Sequence, residues 1–344
     1  MVITFLIGNG FDLNLGLKTQ YNDFIKEYKI IHDTDKECVR FFKESVLKDE
    51  RMWSSAEEAF GKSTKDFREA GYNAGHFCEC HEDFCVALAE YLKKEQQKIN
   101  YTEKNSILAN KFATGILKYK NSFRENEKTI INEAENKFGG GITFNFINFN
   151  YTETVDLCAE AIKNKSEILG VRKHTNTTYA NTIGKIIHVH GTVYKDMVLG
   201  VNDISQIAES TLFEGFDEEY ISQIIKQKTN EINGENVDKK VQNILINSDL
   251  IYIYGMAIGK TDKLWWRRIC NLLKENKNCH LFIHKYDAPQ GDLILRRIIT
   301  YTKEKRAEIL AFSEMNEEEK LDVGQRIHID RANVFEGLKN IVRK

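Results

Sequence analysis

Three short segments carry the residue types from which a reactive site could be built: Gly8-Asn9-Gly10 with Asp12 close behind, Phe149-Asn150-Tyr151-Thr152, and His188-Val189-His190-Gly191. A neutral imidazole titrates near physiological pH and can take a proton from a bound hydroxyl or a water, the task of a general base. His190, followed by a glycine at the end of an apolar run, is the candidate for that role. His188 lies two residues earlier, on the same face of a strand, and reads more simply as a satisfied core histidine. Asn150 offers a donor and an acceptor without charge, suited to orienting a water or a ribose hydroxyl.

The glycines speak to a different requirement. A chain that turns sharply out of a buried strand while admitting a phosphate or ribose to its backbone needs residues without Cβ at the turn. VITFLIGNGFD has that form, yet the dinucleotide fingerprint asks for glycine or alanine where Leu13 stands, so a ligand-free strand-to-helix turn competes evenly. A second glycine turn, at Gly255 to Gly259 before Lys260-Thr261, is one residue too short for a phosphate-binding P-loop. Thr261 reads instead as a helix N-cap.

These segments need a frame. Residues 2–7, ITFNFINFN, KIIHVHG, MVLGV, DLIYIYG and HLFIH read as strands, and helical patterns follow several of them, among them 17–28 and TDKLWWRRICNLLKE. Strands alternating with helices predict an α/β, Rossmann-like fold with a mostly parallel sheet, whose ligands gather at the carboxyl ends of the strands. Between about 30 and 138 the pattern is helical and rich in Lys and Glu, which divides the chain into an α/β core of 1–29 and 139–344 and a helical insertion of 30–138.

Composition narrows the partners. Lys+Arg 49 against Asp+Glu 51 gives a net charge of −2, no footprint for nucleic acid. No apolar run reaches the roughly 20 residues that span a bilayer, and the N-terminal run lacks a basic flank, so a cytoplasmic protein is expected. Seven scattered cysteines favour reduced thiols. His76, Cys78, Cys80, His81 and Cys85 suggest zinc by composition but lack paired CxxC spacing, so no metal is expected, with zinc at that cluster as the lesser alternative.

GNGFD, FNYT, HVHG, VLGVND and the Tyr254-Gly255 turn together resemble the AbiH family of bacterial abortive-infection proteins, and the resemblance extends through WSSAEE and GKTDKLWW to most of the chain. In the same order they are similar to the sirtuin-like NAD-binding fold. That resemblance implies that Gly8, Asn9 and Gly10 face a pyrophosphate. It puts Asn150 and Thr152 beside the nicotinamide ribose, makes His190 catalytic, and has Gly200 and Gly255 line the nucleotide. It departs at Asp12, where a serine is common, at Thr152, where an aspartate is common, and at Ala257, where a serine is expected. It also lacks the zinc motifs of protein deacetylases. What it implies is an NAD+ glycohydrolase that depletes NAD+ on infection, with Asn150 and His190 catalytic and Asp12 stabilising developing positive charge. A phage-derived activator and a homo-oligomer or a defence-system partner are the expected partners. The rival expectations are a non-catalytic nucleotide-binding sensor that acts through a partner, and a nuclease.

Overall fold

The first strand explains the rest of the sheet. VITFLI is apolar on both faces, and Ile3, Phe5, Leu6 and Ile7 are fully buried, which is the signature of a strand covered on both sides. In the computed structural model this strand, β1 (Val2–Ile7), lies inside a six-stranded sheet with β2 (Thr143–Asn148), β5 (Thr182–His188), β6 (Leu250–Tyr254), β7 (His280–His284) and β8 (Ile327–Asp330). β3 (Val171–His174) and β4 (Thr177–Ala180) form a separate antiparallel hairpin. The structure describes all residues except 50–51, 100, 121–123, 164–168, 235, 260–261, 286–294, 331–332 and 344.

Every pairing in the large sheet is parallel, and the order is β5-β2-β1-β6-β7-β8. Counted along the chain, its first strand is central, the second and third lie to one side and the last three to the other. That is the doubly wound 3-2-1-4-5-6 order, whose direction reverses between β1 and β6. Strand ends on either side of that reversal are the part of such a sheet that ligands use.

The chain forms two compact units. Unit 1 holds residues 1–16, 99–189 and 238–344; unit 2 holds 17–98 and 190–237. This division differs from the one composition suggests, because residues 99–138 join the unit of the sheet and 17–29 and 190–237 leave it. The physical reason is visible in the packing: Phe112, on α6 (Tyr101–Leu117), lies 5.6 Å from Phe146 of β2 and stacks at 5.5 Å on Phe335. A Lys/Glu-rich helical pattern says that a helix has one wet face, not which core receives the other.

Unit 1 is completed by α1 (Gly10–Leu15), α7 (Glu125–Lys137), α8 (Thr154–Lys163), α11 (Val237–Ile246), α12 (Lys263–Glu275), α13 (Leu295–Leu310) and α14 (Glu317–Gly324). In unit 2, α2 (Tyr21–Tyr28), α3 (Glu37–Lys48), α4 (Ala56–Glu69) and α5 (Ala74–Gln97) enclose an aromatic core. Phe42, Trp53, Phe60 and Phe84 meet there at ring distances of 4.9–6.2 Å, mostly edge to face. Two short helices, α9 (Glu218–Ser222) and α10 (Lys226–Ile232), belong to the same unit.

Two local expectations change. The helix expected over 17–28 is split from α1 by Gly16, which caps α1 at φ 95°, and α2 begins only at Tyr21. MVLGV is no strand: Val198, Leu199 and Val201 are buried in a loop, with a lone bridge from Val201 to Ile225. Its five-residue apolar run has the composition of a strand because burial, rather than a ladder, is what it shares with one. The short polar-alternating β8 and the exposed β3–β4 hairpin carry too little apolar signal to be read in advance.

Candidate functional site

At the reversal point the glycines meet each other. Gly8 N–H donates to Tyr254 O and Gly10 N–H to Gly255 O, both at 2.9 Å. A Cβ on Gly8 would stand 2.7 Å from Gly255 O, and one on Gly10 2.5 Å from Gly255 Cα. Gly255 itself sits at φ 71°, in the left-handed region that favours glycine. The turns after β1 and β6 thus touch backbone to backbone. That contact alone requires Gly8, Gly10 and Gly255, so these glycines are accounted for without a phosphate. Asn9 occupies the N-cap position of α1 and its carbonyl accepts from Leu13 N–H at 3.1 Å.

Asp12 is 1% exposed, and both its carboxylate oxygens are engaged. Thr152 Oγ1 donates to Oδ2 at 2.5 Å and Thr154 Oγ1 to Oδ1 at 2.6 Å. Burial pushes its pKa up from 3.8 to about 6; the two hydroxyl bonds and the charge of His188 oppose that rise without cancelling it. The carboxylate and hydroxyl that stand exchanged relative to the sirtuin-like pattern, Asp12 and Thr152, are direct hydrogen-bond partners. Asp12 therefore ties α1 to the start of α8, and direct contact with a ribosyl cation would require one of these bonds to open.

Asn150 is held from several sides. Its backbone N–H donates to Asn148 Oδ1 at 3.0 Å, and its side-chain Nδ2 donates to Gly8 O at 3.2 Å. Asn148 also lies within 3.5 Å of Thr152 O, so the FNYT turn is braced by its own asparagines. His188, the last residue of β5, stands 3.2 Å from Asn150 O through Nδ1 and 2.8 Å from Asp156 Oδ2 through Nε2. Burial would lower its pKa, but Asp156, the Asn150 carbonyl and Glu153 carry it above 6.5. Thr154 and Asp156 were not singled out by sequence reasoning. The available signal was Thr-x-Thr-x-Asp over 152–156, overlapping the start of the apolar pattern 155–162, a helix start.

Unit 1 thus brings together Gly8, Asn9, Gly10, Asp12, Asn150, Thr152 and Gly255, whereas His190 and Gly200 are residues of unit 2. The His190 carbonyl accepts from Val198 N–H at 2.9 Å, closing a turn in which Gly191 has φ 66°. Burial, and then the charge of Lys226, hold the His190 ring well below its ordinary pKa, so it is neutral at physiological pH. Lys226 forms a buried ion pair with Glu57 at 2.6 Å. Gly200 is needed where it is because a Cβ would lie 2.3 Å from Ile224 O.

The His76 to Cys85 cluster is spread around α5 and otherwise engaged. His76 closes a capping box with Asn73, His81 Nε2 is 3.0 Å from Leu199 O, and the Cys78 thiol is directed at Tyr220 O. Burial raises the thiols of Cys78 to about 11 and Cys85 to about 12. Among the described residues no group of three or more such side chains could hold a metal ion. Lys260 and Thr261 lie outside the described residues; the N-cap position of α12 falls on Asp262. No helix among the described residues is long and apolar enough to cross a membrane.

Strand order and the polar carboxyl ends of β1, β2 and β5 define a doubly wound, Rossmann-like α/β protein. Within that class the chain belongs to the AbiH family: residues 4–284 match the family described as Bacteriophage abortive infection AbiH. Membership implies a role in abortive infection, a defence against phage. No curated protein matches the chain significantly.

Proposed function

We propose that this protein serves abortive infection as an NAD+ glycohydrolase. The observation that carries the reading is the position of Asn150: a buried, uncharged amide at the carboxyl end of β2, hydrogen-bonded to the turn after β1, beside the reversal point of a 3-2-1-4-5-6 sheet. In the reaction the bond from ribose C1′ to nicotinamide breaks, its electron pair leaving with nicotinamide, and a water oxygen bonds to C1′. The products are nicotinamide, ADP-ribose and a proton. Asn150 uses its remaining N–H and its oxygen to orient the water or a ribose hydroxyl. His190, neutral in the resting protein, accepts the proton; its assignment rests on its place in the sequence after β5 and on the sirtuin-like resemblance. Asp12 acts through Thr152 and Thr154, fixing the loop that carries Asn150.

The test is nicotinamide release from NAD+, followed by chromatography for the purified protein alone and with lysate of phage-infected cells. Wild type is expected to release nicotinamide, and Asn150→Ala and His190→Ala to reduce the rate roughly a hundredfold or more. Undiminished turnover in both variants removes these residues from the reaction. Tight binding of NAD+ or ADP-ribose with no release under either condition replaces the enzyme by a nucleotide-binding sensor.

A further inference from the structure

We infer that His188 and Asp156 are positioning residues, which grip Asn150 by its backbone carbonyl through an imidazole that donates from both ring nitrogens. The inference deepens the proposed function, since it rests on Asn150 being the residue that orients the water or ribose.

The argument is one of hydrogen counting. His188 Nδ1 faces the Asn150 carbonyl at 3.2 Å, and Nε2 faces the Asp156 carboxylate at 2.8 Å. A carbonyl oxygen and a carboxylate have no hydrogen to give, so each ring nitrogen must supply one, which is the protonated form of histidine. The surroundings favour that charge. Asp156 of α8 is in contact, Glu153 lies ahead of the same helix, and Asp12 of α1 interacts electrostatically with the ring. Backbone register places His188 opposite Asn148, whose own side chain holds the Asn150 N–H. Asn150 is therefore fixed at its N–H, its carbonyl and its side-chain amide, and two of these three anchors come from the ends of β2 and β5.

A positioning role of this kind carries a pH signature. Because the folded-state pKa of His188 is raised above 6.5, the grip is complete below about pH 6.5 and is lost as pH rises through the higher folded value. Removing the Asp156 charge takes away the main cause of the rise, so the loss moves to lower pH. A ring held only by core packing would show neither effect.

Nuclear magnetic resonance on the full, isotope-labelled chain reads this without substrate. At pH 6.5 the His188 ring is expected to be protonated on both nitrogens in more than half of the molecules. In Asp156→Asn its midpoint falls, and the Asn150 amide exchanges with solvent at least tenfold faster, while the Phe146 amide in the middle of β2 keeps its protection. His188→Ala is expected to speed Asn150 exchange in the same way, and Asp156→Asn keeps the test decisive if that variant does not fold. A singly protonated His188 at pH 6.5, or unchanged Asn150 exchange in Asp156→Asn, overturns the inference. Neither readout involves NAD+, so failure of the glycohydrolase reading leaves this result standing, and the reverse holds as well.

Discussion

Replacing Gly10 with alanine is expected to cost unit 1 about 4 kcal/mol or more, a loss at the extreme of single substitutions. The added methyl would stand 2.5 Å from Gly255 Cα and 3.1 Å from Gly255 O, and no side-chain rotation relieves a clash with backbone. Nor can the backbone move freely: the two turns are joined by the bonds from Gly8 to Tyr254 and from Gly10 to Gly255, and β1 and β6 are paired residue by residue behind them. Gly255→Ala meets the same obstacle from the other side, with the added strain of φ 71°. Gly140→Ala is the control in the same unit, because a Cβ there meets nothing within 4 Å, and its effect should stay within about 0.5 kcal/mol. Thermal unfolding separates them, with an expected fall in midpoint of roughly 8–16 °C for Gly10→Ala. A Gly10→Ala protein as stable as wild type would mean that the two turns do not touch as described. The same result bears on function: a glycine demanded by a neighbouring backbone is no evidence for a phosphate, and nucleotide binding must be measured on Asn150 and its anchors.

The second large effect concerns Asp12. Asp12→Ala strips the acceptor from two buried threonine hydroxyls, and with about 1–3 kcal/mol for each buried group left unsatisfied, a loss of about 2–6 kcal/mol is expected. Asp12→Asn behaves differently, since an amide can still accept from one threonine and donate to the other. It also removes the cost of burying a charge. The direction of the pH dependence follows from the raised pKa. Because the folded protein holds the Asp12 proton more tightly than the unfolded chain, its contribution is most favourable below about pH 3.8 and is lost as pH rises through about 6. The full difference is about 3 kcal/mol. Denaturant unfolding at pH 4 and pH 8 should therefore show Asp12→Asn gaining on wild type by up to that amount at the higher pH. A stability difference between the two proteins that is the same at both pH values would show that Asp12 is not buried as a strained carboxylate.

Five of the six strands of the large sheet could be read along the chain, because runs such as VITFLI, TFNFIN and LIYIY are apolar, β-branched or aromatic, and bounded by glycine or polar clusters. That periodicity is local, and so is the placing of Asn150 and His188 at strand ends. The partners of these residues are not local. Asp12 meets Thr152 and Thr154 across about 140 residues of sequence, and His188 meets Asp156 across 32. Residue types at such separations carry no mark of pairing, which arises only when β5, β2 and β1 lie side by side. The sequence by itself determined that there would be a parallel α/β sheet with polar, glycine-rich strand ends. Tertiary structure alone decided that Asp12 ties two helices together, that the glycines serve each other, and that helix α6 belongs to the sheet rather than to the helical unit, because burial and hydrogen-bond satisfaction are properties of packed surfaces and not of the order of residues along one chain.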